Sequence, residues 1–136
     1  MCLGWVLPAV AAGQAVIEAD PGNYRERAAG LAAGVTLKLA PGDYTRGLRL
    51  VGVHGKKGQP VTIEGVPGQT VFVGRSGANT IDLTDSGWIV LRGLDFDGKG
   101  LEVDAIKAGG DTRRAVNFVT VEGCTIRGHG AHQNIV

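Results

Sequence analysis

The sequence repeats itself at offsets of 26 to 30 residues. Ile89–Gly100 (IVLRGLDFDGKG) lies over Val119–Gly130 (VTVEGCTIRGHG) at an offset of 30, with Gly93, Gly98 and Gly100 falling on Gly123, Gly128 and Gly130, and Trp88 on Phe118. One repeat earlier, Thr62–Gly65 falls on Val90–Gly93 at 28, and Val35–Lys38 falls on Val61–Glu64 at 26. A unit of this length cannot bury its apolar face alone, so successive units must stack and share a core.

Within each unit, apolar and polar residues alternate in short runs, the pattern of strands with one face on a core. Leu37, Ile63, Leu91 and Val121 share one inward column, and Leu94–Phe96 and Cys124–Ile126 form a second strand after a Gly turn. A third set comprises Thr80–Leu83, Ala105–Ala108 and Asn134–Val136, at offsets of 25 and 29. The 23 glycines follow no Gly-X-Y period and are mixed with β-branched runs, which fits many short strands joined by tight turns. With 5% aromatic residues, the core is expected to be filled mainly by Val, Ile and Leu. The fold class read from these patterns is all-β: a right-handed parallel β-helix of four successive coils with a short N-terminal capping helix.

A charge pattern tests this register independently of the apolar one. Lys38, Glu64, Arg92 and Glu122 occupy equivalent positions in consecutive coils, and their signs alternate. Neighbouring strands lie about 4.8 Å apart, so like charges stacked there would repel and alternating ones attract. Asp97 under Arg127 and Asp82 under Lys107 repeat the theme.

Residues 1–15 include the apolar run Cys2–Ala15, which reads either as a secretory signal, although its positive n-region is missing, or as an N-terminal strand. Residues 16–34 read as a cap, in which Asp20-Pro21-Gly22 leads into a short helix with a Gly stop at Gly34. Such a cap would cover the open first coil. Residues 35–136 are the β-helix coils, and because Val136 falls inside a strand repeat the solenoid is expected to be truncated there. An uncapped coil exposes strand edges, so self-association through the C-terminal coil is expected.

A net charge of +1 gives no electrostatic reason to expect nucleic acid as a partner. The apolar N-terminal run is shorter than the roughly 20 residues of a membrane span. Two cysteines make neither a disulfide framework nor a zinc motif, and Cys124 takes a core position in its ladder.

The runs Leu39-Ala40-Pro41-Gly42-Asp43-Tyr44, Gly58–Gly65 (GQPVTIEG) and Trp88–Phe96 (WIVLRGLDF) resemble bacterial parallel β-helix proteins, and most of all polysaccharide lyase family six, the chondroitinase B and alginate lyase group. The resemblance covers roughly residues 35 to 128 and rests on fold motifs that many β-helix proteins share. It implies β-elimination on an acidic glycan, with a Lys as general base, an Arg nearby, and calcium neutralising the uronate carboxylate in the full-length protein. Abstraction of the C5 proton needs a base near the operating pH and positive charge to stabilise the developing enolate. Lys107, in Asp104–Gly110 (DAIKAGG), is the local match to the family's strand-ending Lys; otherwise it is a surface Lys paired with Asp82. The Arg-bearing coil has no counterpart in the chain, so this chain by itself is expected to be inactive.

Other groups have structural readings alongside functional ones. Asp95, Asp97 and Asp104 could offer oxygen ligands, but their spacing matches no calcium loop, and no metal site is read. His129 and His132 (GHGAH) read as a polar loop between coils or as substrate contacts. Lys56-Lys57 reads as a hairpin tip or a touch point for an acidic glycan, and Trp88 over Phe118 as an aromatic stack or a sugar platform. The function expected is that of a secreted or periplasmic carbohydrate-associated β-helix, a polysaccharide lyase or, alternatively, a non-catalytic surface or adhesion β-helix binding glycan or protein.

Overall fold

The computed structural model describes residues 15–109, 115–130 and 134–136. The chain opens with β1 (Ala15–Ala19), helix α1 (Tyr24–Arg27) and a 3-10 turn over Ala28–Gly30. Three strands follow, β2 (Val35–Leu39), β3 (Gly42–Tyr44) and β4 (Leu48–Val51). The next three are β5 (Val61–Glu64), β6 (Thr70–Val73) and β7 (Ile81–Thr84). The last five are β8 (Gly87–Arg92), β9 (Asp95–Asp97), β10 (Ile106–Gly109), β11 (Asn117–Glu122) and β12 (Thr125–Arg127).

These strands form a parallel β-solenoid of three sheets. One has the order β1-β2-β5-β8-β11, a second β3-β6-β9-β12 and the third β4-β7-β10. The register expected from the repeat is found: Leu37 pairs with Ile63, Ile63 with Leu91, and Leu91 with Val121. Lys107 lies beside Asp82, and Arg127 beside Asp97. Gly93 shows why the turn between the first two sheets repeats glycine. Its φ is +67°, and an added Cβ would lie 2.7 Å from the carbonyl oxygen of Gly65 one coil below.

Two features differ from the sequence expectation. Residues 16–19, assigned to the cap, pair with β2 together with Ala15 as a further rung, which adds Glu18 below Lys38 in the alternating charge column. The helix is correspondingly shorter, covering seven residues with its 3-10 turn, because Leu31 is already extended at ψ +133°. The core is also less aliphatic than expected. Tyr44, Phe72 and Phe96 occupy one internal column through the registers of β3, β6 and β9. Tyr44 and Phe72 stack with ring centres 5.2 Å apart, and Tyr24 of α1 meets Tyr44 edge-on at 4.9 Å. All four rings are fully buried, so α1 plugs the solenoid with Tyr24 rather than merely covering it.

The last coil is half-covered. Leu37, Ile63 and Leu91 are completely buried, whereas Val119, Val121, Cys124 and Ile126 are only partly so. Among the described residues nothing packs over β11 and β12 on their outer side. No helix of the described residues is long and apolar enough to cross a membrane.

Candidate functional site

Trp88 and Phe118 stack with ring centres 4.1 Å apart and planes 11° from parallel. Both sit inside strands, in β8 and β11, yet have φ of +54° and +57°, the left-handed region that L residues avoid. The ladder is interrupted there: Gly87 pairs with Asn117 and Val119 with Ile89, while Trp88 and Phe118 make no pair. The rings lie on the outside of this interruption, with Phe118 64% exposed and Trp88 partly so. His54, on the coil below, bridges to Gly87 and lies 3.7 Å from Asp85. The repeat made the stack legible, but not the strain that presents it.

Lys107 is exposed in β10, with Asp82 of β7 beside it in the ladder. The ion pair expected between them is not formed. Asp82 instead accepts a hydrogen bond from Thr84 at 3.4 Å and has Arg49 as its other ladder neighbour. Arg49, which the sequence reading did not single out, is therefore the arginine of the Lys107 column, two rungs below it. It escaped notice because the offset from β4 to β7 is 33 residues, outside the range of the other columns.

His129 is half-buried, and its Nδ1 donates to the carbonyl of Val103 at 2.8 Å. The ring packs against Gly98, where an added Cβ would lie 2.7 Å from Nδ1. Its Nε2 is shielded from solvent and makes no hydrogen bond among the described residues. The imidazole thus braces one turn against another. His132 lies outside the described residues, as do Cys2 and all but Ala15 of the N-terminal signal or strand expected over residues 1–15.

The three aspartates do not assemble into a calcium site. Asp95 is buried, accepts from the Gly68 N–H at 3.2 Å and lies 3.5 Å from Arg127. Asp97 accepts from the Lys99 N–H at 3.0 Å and pairs with the Lys99 ammonium at 3.3 Å. That backbone hydrogen bond is the main influence holding its carboxyl below the usual aspartate range. Among the described residues, no three His, Cys, Asp or Glu side chains gather in a way that suits a metal ion. Cys124 is a half-buried thiol whose Sγ donates toward the Leu91 carbonyl at 3.6 Å; burial pushes its pKa up, away from nucleophilic thiolate. Lys56 forms a tight antiparallel bridge with Gln59, so the Lys56-Lys57 turn is a hairpin tip.

Comparison with known proteins gives a likeness of fold. No protein-family model matches the chain, and no curated protein matches it. Among solved structures, the PL6 family alginate lyase AlyGC, in a mutant form, superposes with a TM-score of 0.66 at 20% identity, over 82% of this chain and 15% of that one. A mannuronic acid specific polysaccharide family 6 lyase from human gut microbiota gives 0.67 at 19% identity, over 84% of this chain and 27% of that one. The chain therefore spans well under a third of the length of the lyases it matches. What these coils share with family 6 polysaccharide lyases, as their repeats led one to expect, is the parallel β-solenoid itself.

Proposed function

We propose that this solenoid serves a carbohydrate-associated protein, secreted or periplasmic, that engages an acidic polysaccharide and belongs to a lyase cleaving it by β-elimination. The observation that carries this reading is the superposition of more than four-fifths of the chain on two lyases of uronate polymers. In such a reaction Lys107 would take the C5 proton. Elimination also requires positive charge held at the uronate carboxylate as the enolate develops. Arg49 stands two rungs, about 10 Å of backbone, from Lys107 and not on the adjacent coil. The 136-residue chain by itself is therefore expected to be inactive. Incubation with alginate, chondroitin and pectin, followed through the ultraviolet absorbance of the unsaturated product, tests this. Product formation abolished by Lys107→Ala would overturn the inactivity of the isolated chain and make Lys107 its base.

The exposed Trp88–Phe118 stack favours a second reading, a non-catalytic glycan-binding module. Aromatic faces stack on the C–H face of pyranose rings, and a strained backbone beneath two outer rings is the kind of outlier found at ligand contacts. Quenching of tryptophan fluorescence by oligosaccharides, lost in Phe118→Ala, would support it. Unchanged fluorescence with uronate and neutral oligomers alike would remove it.

A further inference from the structure

We infer that the face carried by β4 and β7, in the same sheet as Lys107, holds an arginine-lined site for a polyuronate chain; the inference rests on the acidic-polysaccharide reading above. Arg25, Arg46, Arg49 and Arg75 reach this face from four segments: α1, the turn before β4, β4 itself and the hairpin after β6. All four are exposed. Arg25, Arg46 and Arg49 border one hollow around Leu48, and Arg25 and Arg49 border the next, whose floor includes Ala28, Leu31 and Leu50. Arg49 and Arg75 border a third, with Asn79 and Asp82. Arg49 thus joins three adjoining hollows into one strip. Among the residues that line the three hollows, Glu26, 3.9 Å from Arg46, and Asp82 are the acidic ones, against four guanidiniums. In a chain of net charge +1, that concentrates positive potential on one face.

The guanidiniums are set in place by the fold. Gly47 has φ +62°, and an added Cβ would lie 2.7 Å from Arg75 Nη2 and 2.8 Å from the Thr80 carbonyl, so the bare glycine lets Arg75 lie against the backbone. Tyr24 Oη donates to the Gly47 carbonyl at 2.7 Å and accepts from the Arg46 N–H at 3.1 Å. The Arg46 guanidinium lies 5.8 Å from the centre of the Tyr24 ring. Arg75 is fixed at the base of its hairpin by a bridge to Ala78.

The chemistry of the strip selects its occupant. A guanidinium fork matches a carboxylate in two hydrogen bonds, and the apolar floor beside the forks suits the C–H face of a sugar ring. Arg49 and Arg75 belong to successive coils, so the strip repeats its charge along the solenoid axis, as a polyuronate repeats its carboxylates. An isolated anion would use one fork and none of the floor.

Retention on immobilised alginate tests the site, comparing the wild-type chain with Arg49→Gln/Arg75→Gln and with Lys56→Gln/Lys57→Gln, which removes the same charge from the hairpin tip. Thermal melts of the three proteins establish that they are folded. The wild type should bind with an affinity that falls as salt is added. The arginine variant should lose about tenfold or more, roughly the loss of one charge-assisted contact, while the lysine variant stays close to wild type. An arginine variant that binds normally, or two variants weakened equally, would overturn the site and leave the polysaccharide reading intact. A wild-type chain that retains none of alginate, chondroitin and pectin would overturn both. Equal binding of a single-stranded oligonucleotide, with the same loss in the arginine variant, would overturn the glycan assignment in favour of a general polyanion surface.

Discussion

At Trp88 and Phe118 two energies oppose each other. Holding an L residue in the left-handed region costs about 1–2 kcal/mol, so about 2–4 kcal/mol for the two, and the one stacked aromatic pair returns about 0.5–1.5 kcal/mol. The stack therefore does not stabilise the coil, and the surrounding register must hold it. Trp88→Gly should be more stable than Trp88→Ala by about 1 kcal/mol, because both lose the stack and only alanine keeps the strain; urea midpoints of the two variants check this, and an equal or more stable alanine variant would mean that no strain is stored. The chain's two tyrosines offer a pH test. Burial raises both pKa values, that of Tyr44 to about 12, and the Tyr44 hydroxyl donates to the Ala40 carbonyl at 2.6 Å. A raised folded pKa contributes stability that is complete below the unfolded value of about 10 and is lost as pH rises toward the folded one. The loss attributable to Tyr44 should be ~2–3 kcal/mol between those limits, and tyrosinate absorbance should appear only with unfolding. Ionisation near pH 10 in the folded protein would show that the rings are accessible.

At the scale of elements, the ladders divide the labour between core and surface. The column Glu18, Lys38, Glu64, Arg92, Glu122 alternates in sign through all five rungs of the first sheet, and Arg92 closes on Glu64 at 3.2 Å and on Glu122 at 2.8 Å. These groups are exposed or nearly so, and each pair is worth under roughly 1 kcal/mol; the column opposes slippage of register more than it stabilises the fold. Stability comes from the opposite face. Leu91 is completely buried between Ile63 and Val121, so Leu91→Ala should cost roughly 2–5 kcal/mol. Val121→Ala, on the half-covered last coil, should cost clearly less, and chemical denaturation of the two variants distinguishes an internal rung from a terminal one. Equal losses would mean that Val121 is as enclosed as Leu91.

For the whole molecule, the first and last coils of the described residues differ. Tyr24 and α1 seal one end over the aromatic column, while at the other the inward side chains of β11 and β12 are partly exposed and Ile135 and Val136 are 48% and 46% exposed. A parallel strand with a free edge and an open apolar interior pairs readily with another chain. The 136-residue chain should therefore self-associate at micromolar concentration through its last coil, and appending one coil with a polar outer face should return it to a monomer. Light scattering on the two proteins checks this, and a strictly monomeric 136-residue chain would show that the last coil is already protected.

The sequence alone determined the parallel solenoid and the register of its first sheet, because the offsets of 26, 28 and 30 recur in both the apolar and the charged columns. Periodic information of this kind survives without coordinates: each rung repeats the environment of the one below, so the same residue type is selected again. The aromatic column, the β1 rung and the Arg49 face follow no such recurrence. Tyr24 enters the column from a helix, and its neighbours Tyr44, Phe72 and Phe96 are separated by 28 and 24 residues, while β1 and β2 are only 20 apart. Turn lengths vary freely on a solenoid because turns project into solvent, so the sequence distance between stacked residues drifts wherever a turn grows or shrinks. The arginines of α1, β4 and the hairpin after β6 share no sequence spacing at all. Only the winding of the coils brings them to one face, because the coil spacing in space stays constant while the spacing along the chain does not.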